Sequence, residues 1–105
     1  MAYGSALTAL SDPTRRAVFE RVLEAPRSVG EIARVMPISR PAVSQHLRVL
    51  KDAGLVQARV DAQRRLYRIR PEPLAEVDEW LAPYRALWTA SLDRLEQHLE
   101  QRRNQ

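Results

Sequence analysis

The sequence predicts a mainly α fold with one small β-hairpin, an α+β arrangement in which four short helices precede the hairpin and one long helix follows it. Three observations carry this expectation. Residues 28–53 hold two capped, proline-bounded apolar patterns of helical period, separated by only a few residues. Residues 55–70 change to a period of two around a short polar tip, and from residue 73 a heptad-like run of leucines and aromatics continues to about residue 102. Helix, tight turn, helix and basic ribbon in that order make the pattern of a winged helix-turn-helix, expected to span 1–105 as a single domain.

The N-terminal helices occupy 5–27. A first helical piece, α1, is expected over 6–10 with Leu7 and Leu10 on one side. Asp12 and Pro13 open α2 (13–24) as cap and first-turn proline, and Val18, Val22 and Leu23, with Phe19 beside them, form its buried stripe. Arg15, Arg16, Arg21 and Arg27 read as solvated charges. Ser28 and Glu31 then make a capping box: the hydroxyl accepts from a free backbone N–H and the carboxylate reaches back to the serine N–H. The helix they start, α3 (29–36), presents Ile32, Ala33, Val35 and Met36 and must stop at Pro37.

Ser39 caps the next helix, α4 (40–53), and Pro41 is tolerated in its first turn because the missing N–H would have had no intrahelical partner. Val43, Leu47 and Leu50 share one buried face. The other face carries Pro41, Ser44, Gln45 and Arg48, with Arg40 beside them; it is polar and short-chained at its N-terminal end. Such a face suits insertion into a major groove, where Gln pairs with adenine, Arg with guanine and Ser with base edges or phosphate. A solvated helix face explains the same residues taken alone. The residues C-terminal to this helix favour the groove. Gly54 ends the helix, and β1 (55–60) and β2 (65–70) alternate Val56, Ala58, Val60, Tyr67 and Ile69 against Gln57, Arg59, Arg68 and Arg70. Between Arg40 and Arg70 stand eight Lys or Arg against two Asp, with Arg64 and Arg65 at the hairpin tip, so this wing is expected to lie along phosphates or reach a minor groove.

After Pro71-Glu72-Pro73 the longest pattern begins. Leu74, Val77, Leu81, Tyr84, Trp88, Leu92, Leu95 and Leu99 recur every three or four residues, giving a helix α5 (73–102) that extends over 40 Å at about 1.5 Å per residue. That seam is too long for one small core, so its apolar edge should meet another chain. Pro83 removes one hydrogen bond, and a kink or break is expected near Leu81-Ala82. The predicted order is therefore α1-α2-α3-α4-β1-β2-α5.

Composition sets the scale. A 12.1 kDa chain allows one small core and leaves much apolar surface open as a monomer. Its net charge of +4 is unevenly spread: residues 1–70 hold 13 basic and 6 acidic groups, residues 71–105 hold 4 and 7. The two ends thus face different partners. There is no cysteine, hence no disulfide framework or thiol chemistry. No signal-like or membrane-spanning stretch is present, which gives a cytoplasmic expectation with no membrane partner. Neither a glycine-rich phosphate loop nor a nucleophile with a nearby base is recognisable, so no enzyme is expected.

PAVSQHLRVLKDAGLV, followed by a basic hairpin and RLYRI, resembles the ArsR/SmtB superfamily of small dimeric bacterial repressors, and LTALSDPTRRAVFERVLEAPRSVGEIA is similar to the opening of that family. The resemblance covers roughly residues 5–70 by motif. It implies a homodimer on double-stranded DNA, with Ser39, Arg40, Pro41, Ser44, Gln45, His46 and Arg48 at the groove and Arg64 and Arg65 on the backbone. It also implies a dimer interface built by the first and last helices, here Leu7, Leu10, Trp80, Tyr84 and Trp88. An aromatic stripe lining a ligand pocket is the competing reading of the last three. The thiolate pair of the metal sensors would fall within residues 31–36, where no cysteine stands, and the last helix offers only His98 with Gln101. The chain therefore looks like a metal-independent branch with no cofactor, whose signal is a small-molecule or protein inducer, or the repressor's own abundance. His46 reads as a packing or phosphate-contacting residue. Two other uses of the fold remain: a protein-interaction module with only non-specific nucleic-acid affinity, and structured-RNA binding, which A-form major grooves disfavour.

Overall fold

A computed structural model describes residues 2–104, with side chains from residue 4 onward. Its elements are α1 (Ala2–Ala9), α2 (Pro13–Glu24), α3 (Val29–Val35), α4 (Arg40–Asp52), β1 (Val56–Asp61), β2 (Arg64–Ile69) and α5 (Glu72–Arg103). This is the mainly helical fold with a two-stranded wing that the sequence pattern predicts. The first helix is longer than expected, starting at Ala2.

Side-chain caps start three of the helices. Asp12 accepts from the Arg15 N–H at 3.0 Å, Ser28 from Glu31 at 3.2 Å and Ser39 from Ala42 at 3.3 Å. Pro13 and Pro41 occupy first-turn positions, where a missing N–H costs nothing. The capping box at α3 closes only on the serine side. Glu31 Oε1 has no hydrogen-bond partner and lies instead 3.5 Å from Arg64 Nη1 of the wing, because an ion pair to a guanidinium competes with a neutral backbone donor.

The C-terminus of α4 is a Schellman turn. Gly54 adopts φ +78°, its N–H donates to Lys51 O, and the Leu55 N–H donates to Leu50 O at 2.9 Å. Leu50 and Leu55 are both fully buried, completing the motif with its apolar contact. The core around them holds Val18, Phe19 and Val22 of α2, Ile32 of α3, Val43, Leu47 and Leu50 of α4, and Val56 of β1, closed by Ala6 and Ala9 of α1. Leu23, expected in the α2 stripe, is 54% exposed. It falls beyond the arc that α4 covers, which Val18, Phe19 and Val22 already fill.

Antiparallel pairing runs from Val56↔Ile69 to Asp61↔Arg64, leaving Ala62-Gln63 as a two-residue loop. Ala62 has φ 58° and is the only described non-glycine residue with positive φ, the type II′ pattern of a positive first and negative second loop residue. A bridge to the N-terminal unit steadies the ribbon: Arg27 N–H donates to Tyr67 O at 3.0 Å, and Tyr67 N–H to Arg27 O at 2.8 Å. The Arg27 guanidinium also donates to Arg21 O and pairs with Glu24, so this residue is structural rather than simply solvated.

α5 runs through Pro83 for 32 residues as one helix, so of the kink or break expected near Leu81-Ala82 the break does not occur. The carbonyl that Pro83 leaves unbonded belongs to Glu79, and both residues are exposed, so that carbonyl is not left without solvent as it would be in a core. The helix packs on α1 near its start, and Leu74 reaches the core. Every described residue from Ala82 onward is exposed. The chain consequently measures 66 × 31 × 22 Å with a radius of gyration of 18.9 Å, against roughly 13 Å for a compact chain of this length.

Candidate nucleic-acid interface

The buried triad Val43, Leu47 and Leu50 fixes how α4 sits, and its opposite face turns outward as a consequence. Ser39, Arg40, Pro41, Ser44, Gln45 and Arg48 are all exposed. A strip of hydroxyl, amide and guanidinium groups thus runs along one side of the helix with no large apolar side chain in it. Its donors and acceptors match base edges and phosphates.

His46 departs from that strip. It is half-buried on the flank of α4, and its Nδ1 is out of solvent with no hydrogen-bond partner. It also lies near enough to Asp12, the α2 cap, to act on it electrostatically. The Asp12 carboxyl is held below its ordinary range chiefly by the Arg15 N–H that it accepts, with His46 a lesser contributor. His46 is thus less open than Gln45 and Arg48, on the flank of α4 that lies toward Asp12.

At the wing, Arg64 and Arg65 are exposed and adjoin the helix-turn-helix. Together with Arg40 they line a cleft that also contains Arg34 and Glu31. The sequence does not single out Arg34, since a lone arginine in the last turn of a seven-residue helix carries no signal by itself. Arg48 is not part of this cleft. On the face of the hairpin shared with Arg64, Leu66 is only 9% exposed and lines a shallow hollow with Arg59 and Arg68.

The residues assigned to a partner surface divide as well. Leu7 is exposed, whereas Leu10 is half-buried against the chain's own core. The Trp80 and Tyr84 rings stand 5.6 Å apart at 52°, and Trp88 is 67% exposed. The same side of α5 continues through Leu92, Leu95 and Leu99, with Leu87 at its edge, all exposed. Among the described residues no group of three or more His, Cys, Asp or Glu is disposed to hold a metal, and no helix is long and apolar enough to cross a membrane.

Comparison with known proteins agrees with this geometry. Residues 10–57 match a helix-turn-helix domain family. An HTH-type transcriptional regulator of Mycobacterium tuberculosis is 50% identical over 84 residues, covering 80% of this chain and 76% of that protein. The repressor SmtB of the same species is 37% identical over 72% of this chain, which spans 56% of its length. Among solved structures, an ArsR-like transcriptional regulator from Rhodococcus sp. RHA1 superposes with a TM-score of 0.74 at 29% identity, covering 91% of each chain. A homodimeric winged helix-turn-helix DNA-binding domain from Mycobacterium bovis gives 0.63 at 26% identity, covering 89% of this chain and 83% of that one. Capped helix-turn-helix, basic wing and these relatives together make the chain a member of the ArsR/SmtB family of winged helix-turn-helix transcriptional regulators.

Proposed function

We propose that the chain is a dimeric repressor that reads an inverted repeat in duplex DNA, with α4 in the major groove and the wing on the backbone. The observation that carries this reading is the exposed strip Ser39, Arg40, Ser44, Gln45 and Arg48, set on α4 by a fully buried opposite face. Gln45 and Arg48 read bases, and Ser39, Arg40, Arg64 and Arg65 hold phosphates. The apolar side of α5, with Leu7, meets a second copy, so that two α4 helices enter successive major grooves about 34 Å apart. Bound at a promoter, such a dimer excludes polymerase.

Metal is not the signal in this reading. The chain has no cysteine, and His98 is the one imidazole on α5. A single imidazole and scattered carboxylates do not make a site for zinc. Zinc added to the protein–DNA complex should leave affinity unchanged; a fall of tenfold or more overturns this part.

Selection of bound duplexes from a random library, followed by titration of the winner against scrambled DNA at two salt concentrations, tests the whole. An inverted repeat bound at least ~10³-fold tighter than scrambled sequence is the expected result. Uniform binding that vanishes with salt refutes specific readout and leaves only an electrostatic attachment.

A further inference from the structure

Beside the strip on α4, and sharing Arg40 with it, lies the cleft bounded by α3, the first residue of α4 and the wing tip. It measures about 410 Å³, and Arg34, Arg40, Arg64 and Arg65 line it with Glu31 as the one acidic side chain among them. Two contacts shape it. The Arg40 guanidinium lies over Gly30, so close that a Cβ there would stand 3.2 Å from Arg40 Nη2. Glu31 Oε1 lies 3.5 Å from Arg64 Nη1 and has no hydrogen bond of its own. Among the described residues, Arg34, Arg40 and Arg65 have neither an ion pair nor a side-chain hydrogen bond.

Four arginines from three elements line a volume that holds one carboxylate. Such a gathering repels itself unless an anion enters, and the planar fork of arginine matches the oxygens of phosphate. We propose that the cleft seats one backbone phosphate in each half-site, and that Glu31 is a built-in competitor that holds Arg64 until the phosphate displaces it. This rests on the duplex-binding reading above and adds Arg34 to the groups that grip the backbone. The pair is 3.5 Å long with no hydrogen bond, and its Arg64 side is open to solvent, so it is weak and a phosphate can exchange with it readily.

The exchange has a thermodynamic signature. When Arg64 moves to a phosphate, it must leave Glu31, so part of its attraction for the backbone goes into parting the pair. Removing the carboxylate raises affinity without changing the number of phosphates neutralised, whereas removing Arg64 loses one such contact and lowers the log–log salt slope by about 0.9 per half-site.

The experiment is a double-mutant cycle on the full chain: wild type, Glu31→Gln, Arg64→Gln and the double variant, titrated by fluorescence anisotropy on the selected duplex and on scrambled DNA across a salt series. Glu31→Gln should bind both duplexes about threefold or more tighter, and the two proteins that lack Arg64 should show the shallower salt slopes. In the Arg64→Gln background the same change should give a clearly smaller gain, the remainder being the carboxylate's own repulsion of a phosphate in the cleft it lines. Arg34→Gln should weaken both duplexes alike. All variants should keep the wild-type melting temperature within a few degrees, because the Ser28 cap on α3 is untouched. A gain from Glu31→Gln that persists undiminished without Arg64 overturns the proposal, since Glu31 would then act only as a distant charge. No gain, or a loss, overturns it too. Wild-type protein that binds no duplex refutes the DNA reading and this inference with it, whereas wild-type binding with a null cycle refutes the inference alone.

Discussion

Ser39 stands where helix stability and DNA contact meet, and substitution can separate them. Its hydroxyl accepts the Ala42 N–H, so Ser39→Ala should lower stability by about 1 kcal/mol in urea unfolding. Ser39→Asp keeps an equivalent cap and adds a favourable charge at the helix N-terminus, so stability should return while affinity for every duplex falls. Unchanged affinity in Ser39→Asp would remove this position from the phosphate contacts. Asp12 gives a matching prediction in pH. Its carboxyl is held below its ordinary range in the folded chain because it accepts the Arg15 N–H, so it contributes stability above the unfolded value and loses it as pH falls through the folded one. Asp12→Asn can still cap and should flatten that part of the acid limb in a pH series of thermal melts. An acid limb as steep as wild type would show that other groups set it. Caps of this kind were legible in sequence because cap and donor lie three residues apart. The partner of Glu31 was not, since Arg64 is 33 positions away and arrives only when the wing folds back.

At the scale of the element, α4 and the wing make opposite demands on DNA. Arg48→Ala should weaken the selected site by roughly 1–3 kcal/mol and flatten sequence preference, while Arg65→Ala should weaken all duplexes alike and reduce the salt slope by about one per half-site. Equal losses on selected and scrambled DNA for Arg48→Ala would sink its base-reading role. The wing also carries a strain that the sequence concealed. Asp61-Ala62-Gln63-Arg64 lacks glycine, so its turn type could not be read, yet the pairing leaves a two-residue loop and forces Ala62 to φ 58°. A non-glycine residue pays about 1–2 kcal/mol there, partly offset by the chain entropy glycine would add. Ala62→Gly should thus raise stability by about 0.5–1 kcal/mol; a loss in urea unfolding would mean that the loop holds no strain. The alternating period revealed the hairpin itself, but not the burial of Leu66, which faces the other side of the ribbon from Tyr67 and is covered by neighbours that only the folded ribbon supplies. α5 was legible as a helix from its spacing, whereas its continuity through Pro83 depended on Glu79 being solvated, a fact of tertiary exposure.

The whole molecule is an unequal object, a small core with a long helix standing out from it. Trp80, Tyr84, Trp88, Leu92, Leu95 and Leu99 follow one side of α5, and an apolar stripe of that length is stable in water only when another surface covers it. If a second copy does so, folding and assembly are linked, and the melting temperature must rise with protein concentration. Trp88→Asp places a charge in the middle of the stripe, at a residue 67% exposed in the single chain and outside its core. The variant should therefore keep its helical circular dichroism, sediment as a monomer and melt at a temperature independent of concentration. Its affinity for the inverted repeat should fall toward that for one half-site, because the second recognition helix no longer arrives tethered to the first. A dimer that persists in sedimentation would move the interface away from Trp88. A monomer that still bound the full repeat as tightly as wild type would show that α5 joins the chains without setting the spacing of the two α4 helices.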